Sequence, residues 1–204
     1  MRRYPGMNYY ERQAARKANA AANAAKKAAR EAAAMTCQCC GGNFLANTGR
    51  VAHHGYQRPG WGWQTASCIG ARELPFEVSR EALGRHIKGL EEWKAGAIEN
   101  GIAVKEERVG ISLTFPDYSA PRVYGKRPTK TIVVTRADFD AAKAEHAFRN
   151  LGWNDFDTVK ERDLDRRRAE VRNVSEEIKR QHARFDGWKQ THQWDKATKS
   201  WIKI

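Results

Sequence analysis

Long apolar runs are missing from this chain. None approaches the roughly 20 residues that a helix needs to cross a bilayer, so the expected setting is aqueous, the cytoplasm. Missing too are a Gly-rich phosphate loop, a Ser-His-Asp order and paired carboxylates in a cleft-like context, which removes the ordinary grounds for reading an enzyme. Acidic residues are scarce, 24 against 37 lysines and arginines, and the resulting net charge of +13 points to a polyanionic partner. Nucleic acid is the first such partner and an acidic protein surface the second. The pI is near 9.8, the mean hydropathy −0.79, and 41% of the 204 residues are hydrophobic. Such a chain can bury one modest core, or a small core plus extended helices, and the low hydropathy favours the second. No segment reads as a signal peptide, so a reducing compartment is expected.

Cysteine is also sparse, and all of it lies in one place. The four cysteines fall between Cys37 and Cys68, a stretch that also holds His53 and His54. Cys37 and Cys40 have the two-residue gap of a zinc knuckle, whose tight turn points both thiolates at one ion, and Gly41-Gly42 supply loose backbone behind it. Cys68 is the natural third ligand and His53 or His54 the fourth, giving a closed tetrahedral Zn2+ site. The sequence does not choose between the two histidines, and Cys39 is spare. Two disulfides are the competing use of four cysteines, and a reducing compartment favours metal.

The run His53-His54-Gly55-Tyr56-Gln57-Arg58-Pro59-Gly60, closing with Ala66-Ser67-Cys68 and Leu74-Pro75-Phe76-Glu77, resembles uncharacterised zinc-finger-like proteins of bacteriophages and related mobile elements. The resemblance covers residues 37–80. It implies a metal site and a phage or prophage setting, with no activity attached.

Residues 1–36 carry eight basic side chains against two acidic ones. At 100° per residue, Arg12, Arg16, Asn19, Asn23, Lys26, Lys27 and Arg30 fall on one stripe, opposite almost pure alanine. Alanine is the best helix former, so a helix from about Tyr9 to Ala34 is predicted, with an apolar face too weak to hold it in a core. One reading lays this basic arm along a phosphate backbone, with the asparagines in reach of base edges. The other is a solvated alanine-rich extension.

Beyond the arm, Gly49–His54 and Trp61–Ala66 read as short strands, with Tyr56, Arg58, Trp61 and Trp63 either stacking on bases or forming a miniature core. A helix is predicted from Phe76 to about Asn100 with Val78, Leu83, Ile87, Leu90, Trp93 and Ile98 on its apolar stripe, stopped at Gly101. Period-two alternation marks a strand over 108–115, and a return strand covers 130–135. Between them, Lys126, Arg127 and Lys130 form a basic tip, a candidate phosphate contact. Thr135 and Asp138 begin a short helix containing Phe139, Ala142, His146 and Phe148. A long helix follows over about 157–189, with Leu164, Val171, Ile178 and Phe185 seven apart like a coiled-coil seam. His146 and His182 are read as packed or solvated. In the C-terminal tail, Trp194 opposite Trp201 is expected in a hairpin packed back on the long helix.

The expected fold is thus mainly α with small β elements. It comprises a basic helical arm (1–36), a zinc module (37–74), an antiparallel helical or coiled-coil body (75–190) and a basic aromatic hairpin (191–204). The function expected is zinc-stabilised nucleic-acid binding, with Arg58 adding to the basic contacts. The alternative is docking on a host protein or nucleoprotein machine, partly through the coiled coil. A metal-dependent nuclease of the His-containing ββα type is the enzymatic case. Its pattern is incomplete, because no Asn follows His53-His54 before His86.

Overall fold

The computed structural model describes residues 8–55, 67–145 and 152–204. Along the chain run α1 (Tyr9–Ala32), β1 (Ala34–Thr36), β2 (Asn43–Leu45), α2 (Glu81–Lys105), β3 (Ile111–Pro116) and β4 (Thr129–Val134). They are followed by α3 (Phe139–Glu145), α4 (Phe156–Asp186), β5 (His192–Asp195) and β6 (Ser200–Lys203). The strands pair as three separate antiparallel hairpins, so the fold is mainly α with small β elements. The chain divides into two compact units. One holds the N-terminal elements, the segment through Ile87 and the stretch from Gln181 onward; the other holds Lys88–Arg180.

In the first unit, α1 is built by local forces alone. Asn8 accepts the Glu11 N–H at 2.9 Å while the Glu11 carboxylate accepts the Asn8 N–H at 2.8 Å, a reciprocal cap that satisfies two orphan donors. None of its residues is buried. The β1–β2 hairpin follows, with Met35 opposite Phe44. Strand β1 is tied to the segment before α2: Phe76 N–H donates to Thr36 O at 2.8 Å, and the Glu77 carboxylate accepts the Thr36 hydroxyl at 2.5 Å.

These ties correct the predicted start of α2. The helix begins at Glu81, where the Ser79 hydroxyl accepts the first N–H at 3.2 Å, because Phe76 and Glu77 are held on β1 and cannot turn helical. The predicted strand over 49–54 is also absent. Its backbone bonds scatter, with Val51 exchanging bonds with Arg72 and Glu73 and Ala52 reaching Leu45, so no single neighbour builds a ladder. Only the bridge from Gly55 to Ser67 has strand geometry there. The expected strand at 61–66 lies outside the described residues.

The C-terminal hairpin pairs Trp194 with Trp201 as expected, ring centroids 4.8 Å apart. It rests on the loop after β2: the Trp201 indole donates to Ala46 O at 2.8 Å, and Trp194 lies over Gly49, where a Cβ would come within 3.1 Å of the ring. That close approach and a φ of +81° both require glycine at position 49.

The second unit has the apolar core. Strand β3 alternates as predicted, with Ile111, Leu113 and Phe115 buried and Ser112 and Thr114 facing out. The buried residues gather with Val104, Val134, Phe139, Phe156, Val159 and Leu164, and full burial of each large member stabilises by about 1.5–3 kcal/mol. Helix α2 runs past Gly101, against expectation, because the turn beyond it places Val104 in this core. That gain outweighs the roughly 1 kcal/mol cost of a helical glycine. The helix ends instead at Lys105, and just beyond it Glu107 takes a φ of +59° that lets Arg108 N–H bond back to Ala103 O. Trp93 and Ile98, expected on the apolar stripe, are exposed at 39% and 43%.

Asp155 caps α4 by accepting the Thr158 N–H at 2.7 Å. The heptad positions of α4 serve different neighbours. Leu164 joins the β3–β4 core, whereas Ile178 packs with Val174 and Leu90. His146 and Phe148 lie outside the described residues.

Candidate metal centre

The turn between β1 and β2 presents the first two candidate ligands. Cys37 N–H donates to Gly42 O at 2.8 Å and Gly41 N–H to Cys37 O at 3.1 Å, closing a loop that carries Cys37 and Cys40 on one side. Gly41 takes φ +71°, the left-handed region in which glycine carries no side-chain penalty. His54 and Cys68 are brought up together, since Cys68 N–H donates to His54 O at 3.0 Å beside the Gly55–Ser67 bridge.

The ligand atoms of Cys37, Cys40, His54 and Cys68 all lie within 4.8 Å of one another. Cys37 Sγ is 3.7 Å from Cys68 Sγ, and Cys40 Sγ is 3.4 Å from His54 Nε2. Sulfur and nitrogen ligands of a tetrahedral ion, at about 2.0–2.3 Å from it, stand about 3.4–3.8 Å apart. The four groups therefore have the spacing needed to hold one metal ion. None of the cysteines is in a disulfide.

The imidazole is fixed for this task. His54 Nδ1 donates to Ala52 O at 2.8 Å, which leaves the Nε2 lone pair toward Cys40. Phe44 stacks on the ring at 3.6 Å and 14°. His53, the other candidate, is exposed and hydrogen-bonds Ser67 Oγ at 2.7 Å, outside the cluster. Cys39, expected to be spare, directs its Sγ toward Ala82 O at 3.7 Å.

Three supports were not legible beforehand. Gly70 packs so closely that a Cβ there would come within 2.5 Å of Cys37 Sγ. Gln181 Nε2 donates to Cys39 O at 3.0 Å, and Arg184, stacked over Phe76, directs its guanidinium at the carbonyls of Cys37 and Cys39. Three thiolates around a dication carry one net negative charge, so a cation beside the turn stabilises it. The available signal was the glycine two residues after Cys68; nothing in the α4 sequence marks Gln181 or Arg184 as partners of the turn.

The thiols are strongly coupled. Hydrogen bonds from Cys39, Cys40 and Cys68 hold the Cys37 thiol far below its usual range, favouring the thiolate. The same bond to Cys37 pushes Cys39 up to about 12 and raises Cys40 and Cys68. An ion that draws in Cys40 and Cys68 thus displaces protons from them.

The basic residues singled out from the sequence fall in two places. Arg12, Arg16, Asn19, Asn23, Lys26, Lys27 and Arg30 are all exposed on α1. Lys126, Arg127 and Lys130 are at and beside the β3–β4 tip, in the other unit. Arg58, with Tyr56, Trp61 and Trp63, lies outside the described residues. Among the described residues no helix is long and apolar enough to cross a membrane. No protein-family model, curated protein or solved structure matches the chain.

Proposed function

We propose that this is a nucleic-acid-binding protein whose metal centre is a structural zinc site. A donor set of three thiolates and one imidazole suits Zn2+, and four protein ligands leave no open position for a reacting water. On this reading the protein is not an enzyme, and the centre is a joint that fixes the chain around it. The phage or prophage setting rests only on the resemblance over residues 37–80.

One observation carries the nucleic-acid reading. Helix α1 is capped, 24 residues long and contains no buried residue, yet its cations, Lys17 apart, follow a single stripe. A helix that buries nothing adds little to a core, and the Lys27–Glu31 ion pair on it, at 3.8 Å, is a weak exposed contact. The charge is therefore available for phosphates. Fluorescence anisotropy with a labelled oligonucleotide, titrated at rising salt, tests this. Binding that weakens linearly in log–log form, with a shallower slope in an Arg12→Gln/Arg16→Gln/Lys27→Gln/Arg30→Gln variant, supports it. No binding at low salt overturns it.

Docking on a partner protein is the second reading, favoured by Ile98 and Ile102, one turn apart on α2 and exposed at 43% and 40%. Capture of a discrete partner that Ile98→Lys abolishes would place it first. Plasmid incubated with magnesium or manganese should stay intact, and His53→Ala and His54→Ala should make no difference to it.

A further inference from the structure

The β3–β4 ribbon ends in a feature that the zinc joint and the α1 arm do not use. Val123 and Lys126 exchange both backbone bonds, Val123 N–H to Lys126 O at 2.8 Å and Lys126 N–H to Val123 O at 3.0 Å. Only Tyr124 and Gly125 lie between them, at φ +48° and +76°. Two left-handed residues at the apex are the pattern of a type I′ hairpin turn, which favours Asn-Gly or Asp-Gly. A tyrosine at the first of these positions gains nothing for the turn and is sterically disfavoured. Nor does it pack: Tyr124 is 101% exposed, the most exposed of the large apolar side chains among the described residues.

The charge around this ring has one sign. From Tyr118 to Lys130 the chain has Arg122, Lys126, Arg127 and Lys130 and no acidic residue. Arg127 lies over the Tyr118 ring at 4.6 Å, and among the described residues Arg122 reaches only Gly125 O, at 3.5 Å. Among the described residues Lys126 makes no ion pair. A backbone outlier held at a solvent-facing aromatic points to function, because folding alone would favour asparagine there.

We propose that the ribbon tip binds single-stranded nucleic acid, Tyr124 stacking on an unpaired base while Arg122, Lys126 and Arg127 contact the flanking phosphates. A duplex keeps its base faces stacked internally, so an aromatic finger gains its full contact only from a single strand. The inference rests on the nucleic-acid reading above and adds to it a substrate class and a second contact.

The test compares the full-length protein with Tyr124→Asn and Tyr124→Phe on a single-stranded DNA oligonucleotide, the matching RNA and the matching duplex. Asparagine accepts left-handed backbone, so Tyr124→Asn should fold at least as well as the parent, which a thermal melt checks. Its affinity for the single strand should fall about 5- to 100-fold, as for loss of one base–aromatic stack. Duplex affinity should change less than twofold, and Tyr124→Phe should behave as the parent. Equal losses on single strand and duplex, or no loss on either, overturn the tip proposal while leaving α1-dependent binding intact. Failure of the parent protein to bind any of the three overturns the nucleic-acid reading itself. Tyr124-dependent binding to anionic phosphatidylserine vesicles, without binding to any oligonucleotide, assigns the tip to a membrane surface and overturns it as well.

Discussion

Gln181, on the last turns of α4, donates a hydrogen bond to the backbone carbonyl of Cys39 at 3.0 Å, 142 residues away in sequence. Gln181 is almost wholly buried, and its Oε1 accepts from Arg184 at 2.6 Å. The pair joins the metal turn to the C-terminal part of the first unit. It also explains a polar residue at a position where a heptad repeat wants an apolar one. Gln181→Leu should lower unfolding stability by about 1–3 kcal/mol, the cost of a buried carbonyl left with a poor partner. Metal affinity should fall about tenfold, as when an outer support of a metal ligand is removed. Urea denaturation and competition against a chromophoric chelator measure the two effects. Unchanged values for both would show that Arg184 alone holds the turn.

The metal set makes a sharper prediction. Cys37→Ser, Cys40→Ser, Cys68→Ser and His54→Ala should each lose stoichiometric metal, whereas His53→Ala and Cys39→Ala should retain it. Gly70→Ala should lose metal as well, since its methyl would sit 2.5 Å from Cys37 Sγ and displace the sulfur. Metal content after extensive dialysis, with cobalt absorption spectra as a second readout, checks the series. Retention of metal by His54→Ala together with loss by His53→Ala would reverse the assignment.

Chelation separates the joint from the helices. Ala46 and Gly49, which carry the tryptophan hairpin, lie in the chain between the candidate ligands Cys40 and His54. Removing metal should therefore shift tryptophan fluorescence and collapse near-ultraviolet circular dichroism. Much of the far-ultraviolet helical signal should stay, because α1 is held by its own cap and α2 and α4 by an apolar core. Loss of all helical signal would mean that metal organises the second unit as well.

Much of this architecture is legible in the residues themselves, and the parts that are not share a cause. Helix α1 is fixed by local propensity, β3 by alternation against one core, and Trp194–Trp201 by a turn between paired indoles. All three are short-range or periodic signals. The β1–β2 hairpin is three residues a side, too short for any period to show. The start of α2 is set by Thr36, which is 41 residues distant from Glu77, and this contact overrides Pro75 as a helix signal. Cys37, Cys40 and Cys68 follow from spacing, whereas His54 over His53 is decided by the Ala52 carbonyl and the Phe44 ring, tertiary features that no spacing encodes.

The second unit supplies a pH prediction. Glu107 accepts from Arg136 at 2.7 and 2.8 Å and from Lys160 at 2.7 Å, and these donors, Arg136 first, hold its carboxyl down to about 2. An ordinary glutamate titrates at about 4.3 in the unfolded chain. A carboxyl depressed on folding adds stability that is fully present above the unfolded value and is lost as pH falls through the folded one. Unfolding stability should accordingly decline between about pH 4.3 and 2. Asp117, Asp155, Asp157 and Asp195 are also depressed and add slopes of the same sign. The informative quantity is thus the difference between the parent and Glu107→Gln, which keeps the left-handed backbone and removes only the charge. That difference should shrink toward zero as pH approaches 2, and a constant offset across the window would attribute the effect to packing instead.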